Sequence, residues 1–193
     1  MIELLTLADY KKMLWKNGAG FTIELARSDG DSLDAFDWRI SMADVKTAGE
    51  FSKFCGMHRI LTVLEGQGIS LQIEDDSKHL ASLQTVQFSG DSRVSCELLH
   101  GPIRDFNLIY DPQKVHVRYQ WIFESASVEI FSSADLIFIF NQRVEPLTIE
   151  IDQQVFHLQH QESLKIQNKK LLKNIVLSEQ SIKQICLIEL TII

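Results

Sequence analysis

The feature that most constrains this chain is a hydrophobic alternation of period two, repeated in short runs from one end to the other. Phe21 to Arg27, Trp38 to Val45, Arg59 to Leu64, Ile69 to Ile73 and Arg104 to Tyr110 alternate in the first part. Leu147 to Ile151, Val155 to Leu158, Ser163 to Ile166 and Cys186 to Leu190 continue the pattern. Successive strand side chains point to opposite faces, so each run is a strand that buries one face. Polar groups of turn length, such as Asp152-Gln153 and His160-Gln161, separate them. Many short strands at close spacing predict a sandwich or closed barrel instead of alternating β and α units. Helical signals are confined to single turns at Thr6 to Lys11 and Asp111-Pro112-Gln113. The expected class is all-β with few short helices.

Charge and cysteine usage narrow the function classes. Nineteen basic residues against 26 acidic give a net charge of −7, and the only dense basic run is Lys169-Lys170 with Lys173. Tracking phosphates needs clustered cations, so no nucleic-acid partner is expected. Cys55, Cys96 and Cys186 follow no metal-binding or disulfide spacing. His157 and His160, the only close histidines, fall on opposite faces of a strand and are read as surface residues, so no metal and no cofactor are expected. No apolar run approaches the ~20 residues that span a bilayer. The opening MIELLTLADYKK lacks the pattern of a signal peptide, so no membrane association and a cytoplasmic location are expected.

Four stretches carry candidate chemistry. Trp15-Lys16-Asn17-Gly18-Ala19-Gly20 places an aromatic face, an ammonium and an amide beside a tight turn. In Trp38-Arg39-Ile40-Ser41, alternation puts Arg39 and Ser41 on one face. In Gly49 to Gly68, Arg59 shares a face with Leu61 and Val63, and His58 lies on the other. A guanidinium keeps its charge, so if its face points inward it must meet a carboxylate or bind an anion; otherwise it stands at the exposed mouth of the strand. In Gly101 to Ile109, Asp105 and Asn107 share a face, opposite Phe106, Leu108 and Tyr110. That arrangement suits either a polar pocket or a solvent-facing edge. Cys55, between Phe54 and Gly56, reads either as an exposed loop thiol or, the commoner case, as a packed small side chain.

Together, WKNGAGFTIE, WRISMADV, GEFSKFCGMHRILTVLEGQG and GPIRDFNLI resemble, in order, the motif series of the HutD/Ves family of bacterial bicupin proteins. The resemblance implies a bicupin: two jelly-roll, cupin-like β-barrels in one chain, taken as residues 1–112 with the ligand pocket and 113–193 as scaffold or interface. Strands exchanged between the barrels are allowed for. It also implies a regulatory role in histidine utilisation. The Ves branch is instead described as stress- or cold-induced. Carried over position by position, the family's pocket falls on Lys16, Asn17, Thr22, Arg39, Ser41, Arg59, Asp105 and Asn107. The chain departs from the family at Phe54-Cys55-Gly56, where Phe-Pro-Gly is usual. Metal-dependent cupins carry two histidines one residue apart, whereas His58 is followed two residues on by Ile60.

The expected function is non-catalytic binding of a small anionic metabolite, a histidine-degradation intermediate such as formylglutamate or urocanate. Arg59 or Arg39 would meet its carboxylates, Asn17, Ser41 and Asn107 would orient it, and Trp15 or Phe106 would supply an apolar wall. The alternatives are a metal-free hydrolase or isomerase with Asp105 as general base and Arg59 stabilising an oxyanion, or a protein-interaction module. A homodimer is also compatible with the fold. All nine glycines fall between Gly18 and Gly101. The glycine-free half is therefore expected to hold no pocket and to build its turns from Asp, Asn, Gln, Lys and Ser.

Overall fold

In a computed structural model of the chain, the described residues are 1–14, 20–30, 35–179 and 184–193. The fold is all-β, and among these residues there is no helix. The two expected helical turns close as isolated hydrogen-bonded turns. Asp9 N–H donates to the Thr6 carbonyl (3.0 Å) and Lys114 N–H to that of Asp111 (3.1 Å). Each is followed at once by residues committed to a sheet, so neither propagates.

The chain divides into two compact units, Tyr10–Lys114 and Met1–Asp9 with Val115–Ile193. The N-terminal strand β1 (Ile2–Leu5) therefore belongs to the same unit as Val115–Ile193. It pairs antiparallel with residues 163–166, Ile2 against Ile166 and Leu4 against Leu164. Ile2 packs on that unit's core, which is why residues 1–9 do not count with the first barrel as a 1–112 division supposes.

The Tyr10–Lys114 unit contains β2 (Lys11–Leu14), β3 (Phe21–Arg27), β4 (Trp38–Val45), β5 (Gly49–Glu50), β6 (His58–Glu65), β7 (Ile69–Ile73), β8 (Asp76–Leu80), β9 (Thr85–Ser89), β10 (Val94–Leu98) and β11 (Ile103–Tyr110). They form a sheet of order β2-β3-β4-β11-β6-β9 and one of order β5-β10-β7-β8. Leu61, Val63, Val86 and Val45 from the first meet Ile69, Leu71, Val94 and Cys96 from the second in one core. Polar residues occupy the same inward face further along β4, β6 and β11. The space between the sheets is thus apolar at one end and polar at the other. Gly66 and Gly68, in the turn between β6 and β7, have φ of +99° and +107°. A Cβ on Gly66 would lie 2.6 Å from the Pro102 carbonyl oxygen, so no other residue fits there.

The other unit adds β12 (Val115–Ile122), β13 (Val128–Ser132), β14 (Leu136–Asn141), β15 (Leu147–Ile151), β16 (Gln154–Leu158), β17 (Ser163–Gln167), β18 (Lys173–Leu177) and β19 (Ile185–Ile192). Its sheets run β1-β17-β14-β19-β12 and β13-β18-β15-β16, enclosing a core of Ile, Leu and Ala side chains. Here non-glycine residues make the left-handed turns. Asp152 and Gln153 join β15 to β16 with φ of 48° and 70°, the two-residue hairpin geometry that favours Asx-Gly. Asp152 is retained there by its ion pair with Lys173 and by accepting from the Asn174 N–H. Gln153→Gly, which relieves the left-handed strain and keeps Asp152, is expected to stabilise the protein by up to about 1 kcal/mol. Urea unfolding measures this, and a fall in midpoint would contradict it.

Candidate functional site

Inside the first unit, the polar end of the inter-sheet space opens into a cavity of about 960 Å3. Strand register brings its floor together. Ser41 pairs with Asn107, Asn107 with Leu61, Ile109 with both Arg39 and Arg59, and Ala43 with both Thr22 and Asp105. Of the residues singled out from sequence, Thr22, Arg39, Ser41, Arg59, Asp105 and Asn107 line this one cavity. Trp15, Lys16 and Asn17 lie outside the described residues.

Arg59 is 5% exposed and its face points inward, beside Leu61 and Val63 of the core. Its Nη2 donates to Asn107 Oδ1 at 2.8 Å and its Nη1 to the Ser52 carbonyl at 3.3 Å. Asn107 Nδ2 in turn donates to Asp105 Oδ1 at 2.7 Å. The guanidinium and the carboxyl thus make no direct ion pair, because the Asn107 amide stands between them and its orientation is fixed by both. Asp105 is fully buried, and its Oδ2 has no hydrogen-bond partner.

Burial dominates the electrostatics. Desolvation raises the Asp105 carboxyl to about 7, against the opposing pull of Arg59 and of the hydrogen bonds from Asn107 and the Ala43 backbone. Desolvation likewise lowers Arg59 to about 10, partly offset by Asp105 and reinforced by the like charge of Arg39. Two guanidiniums therefore feel each other across one cavity. Phe54 lies between them, its ring centroid 5.2 Å from Arg39 Cζ and 5.6 Å from Arg59 Cζ. Phe36 flanks Arg39, and Phe51 and Phe88 flank Arg59. These ring faces hold the cations without neutralising them.

Several sequence expectations are corrected. Phe106 supplies no wall, since it pairs with Met42 and Thr62 on the strand face opposite Asp105 and does not line the cavity. Phe36, Phe51 and Phe54 do that instead; the two phenylalanines flanking Ser52-Lys53 were the legible signal. Of the two readings of Cys55, the structure has the exposed loop thiol, at the cavity lining, and not the commoner packed one. In place of the missing proline, the Asp91 carboxylate accepts from the Gly56 N–H at 3.2 Å and holds the loop. His58 stacks edge-on against Tyr110, 5.6 Å between centroids, and takes no part in the cavity. The second unit is also not without a cavity. One of about 330 Å3 is lined by His116, Arg118, Phe131 and Glu189, with Arg118 and Glu189 paired at 3.1 Å.

The HutD family profile matches residues 7–185, and so takes in every residue lining the cavity of the first unit. The chain belongs to the HutD family. An uncharacterised 21.2 kDa protein in the hutC 3' region of Pseudomonas putida is 48% identical over 140 residues, 72% of this chain and 73% of that protein. Protein Ves of Escherichia fergusonii is 42% identical over 52% of this chain and 55% of its own. Among solved structures, HutD from Pseudomonas fluorescens SBW25, in a formate condition, is 38% identical with a TM-score of 0.88 over the full length of both chains. A conserved protein of unknown function from Pseudomonas aeruginosa PAO1, also 38% identical, reaches 0.93 over 99% of each. A nickel-bound bacterial pirin from Escherichia coli, 10% identical with a TM-score of 0.70, shares the cupin-like fold alone. HutD membership and this fold stand together. Among the described residues no three His, Cys, Asp or Glu side chains converge as a metal-holding group, and no helix is long and apolar enough to cross a membrane.

Proposed function

We propose that the cavity of the first unit is a receptor for a small carboxylate, without turnover. As a HutD family member, the chain would take an intermediate of histidine degradation, formylglutamate or urocanate, and so serve regulation of histidine utilisation. The observation that carries this reading is the pair of guanidiniums on Arg39 and Arg59, facing one cavity whose single buried carboxyl among the described residues is half-neutralised near pH 7. A planar fork matches a carboxylate with two parallel hydrogen bonds. Ser41 and Thr22 add hydroxyls that can orient the ligand, and Phe36 and Phe51 give it an apolar wall.

The same geometry favours binding over catalysis. The Asp105 carboxyl is joined through Oδ1 to the Asn107 amide, which neither gives nor takes protons in water, and the histidine nearest in sequence to Arg59 lies on the other face of β6. A thermal-shift screen with histidine, urocanate, formiminoglutamate and formylglutamate tests the proposal, each ligand being quantified by chromatography after incubation. One of the acids is expected to raise the unfolding midpoint and to be recovered intact. Consumption of the ligand supports an enzyme instead, and a flat screen removes the receptor reading.

A further inference from the structure

We infer that the cavity binds its anion together with a proton, which is taken up by Asp105 as the ligand replaces it as counter-charge to Arg59. This inference rests on the receptor reading above and adds to it the way the site balances its charge. Among the described residues Arg59 is the one cavity cation that is almost wholly buried; Arg39 is only partly buried and Lys53 is exposed. The only buried carboxyl lining the cavity among the described residues is Asp105, which reaches Arg59 through the Asn107 amide with no direct contact. Its second oxygen, Oδ2, is solvent-inaccessible and unpartnered, so an ionised Asp105 leaves half its charge without a donor. An incoming carboxylate that meets the Arg59 fork would then lie in the same low-dielectric space as that second anion. Two carboxylates brought into one such site are driven to share a proton, and Asp105, with one oxygen buried and unpartnered, takes it.

The surroundings of Asp105 agree with this from every element packed on it. From β4 come the Ala43 backbone donor and, at longer range, Asp44, whose negative charge also favours the acid form. Asp44 is itself held by Arg104 at 2.6 Å, so it does not compete for Arg59. From β6 comes Arg59, and from β10 the buried Cys96 thiol, on which Asp105 acts as a neighbouring negative charge. At the mouth stand Arg39, Lys53 and Glu50, and Asn107 is the partner on β11 itself. Burial has already brought the Asp105 carboxyl to about 7 in the empty cavity, so the ionised and protonated forms are close in energy there.

The test is calorimetric titration with formylglutamate, whose carboxyls titrate well below neutrality, in buffers of different ionisation enthalpy. About one proton per ligand is expected to be taken up near pH 8 and almost none near pH 5.5, with affinity falling about tenfold per unit above pH 7.5. Asp105→Asn is expected to bind with no uptake and a flat pH profile; if that variant does not fold, the slope of the unmodified protein still decides. Binding with no proton uptake and constant affinity near pH 8 overturns the inference while leaving the receptor reading intact. Undiminished uptake in folded Asp105→Asn also overturns it, since another group would then be the acceptor. Absence of binding by formylglutamate and by the other acids of the screen defeats the receptor reading, and the inference with it.

Discussion

Replacing Arg59 by methionine is expected to weaken carboxylate binding at least about 100-fold, or roughly 3 kcal/mol, the scale on which truncating one member of a buried charged pair acts. Methionine keeps an unbranched apolar stem against Phe51, Phe54 and Phe88, so the packing on the rings is largely conserved. What disappears is the charge and the two donors now given to Asn107 and the Ser52 carbonyl. Arg59→Lys should fall between the two, because an ammonium restores the charge without the planar fork. Arg39→Met should cost less, about tenfold, since Arg39 is only partly buried and its charge is partly screened by water. Isothermal titration with the acid that shifts the unfolding midpoint measures all three. Arg59→Met binding within threefold of the unmodified protein would mean that the buried guanidinium is structural, and that the anion sits elsewhere.

The barrel strands that were legible in sequence are those with one face in the core and one outside it. In β15, Leu147, Ile149 and Ile151 are buried while Thr148 and Glu150 are not, and alternation reports that difference directly. Strand β14 escapes the same reasoning because all six of its residues are buried and Leu136 to Phe140 form an unbroken apolar run with no period. Strand β8 escapes it for the opposite cause: Asp76 to His79 are all exposed. For the site, Arg59, Asp105 and Asn107 could be placed on shared faces from spacing alone. Whether those faces met was set by the pairing of β11 with both β4 and β6, a long-range register that no local pattern encodes. The aromatic cradle was hidden for a related reason. Phe51 and Phe54 sit in an irregular segment, where the direction of a side chain cannot be read from periodicity.

The second large effect concerns the protein without ligand. Asp105 has a carboxyl raised from 3.8 to about 7 by burial. A raised acid binds more protons in the folded than in the unfolded state between these two values. Its contribution to stability is therefore fully present below about pH 4 and is lost as pH rises through about 7, the opposite of a salt-bridged aspartate. Three units correspond to a loss on the order of 4 kcal/mol across that window. Exposed carboxylates held low by partners, such as Asp152 beside Lys173 and Glu145 beside Arg143, act in the other sense at acid pH. The informative quantity is accordingly the difference between the protein and Asp105→Asn, in which the new amide oxygen still accepts from Asn107 and no carboxylate charge is buried, Arg59 remaining the buried cation in both. Urea unfolding from about pH 5 to 8.5 should show the two diverging as pH rises, with Asp105→Asn the more stable by several kcal/mol at the alkaline end. Parallel curves would show that Asp105 is not desolvated in the way its burial implies. Divergence would mean that the empty cavity carries an electrostatic cost which grows with pH, held at the one place where a bound anion and its proton can relieve it.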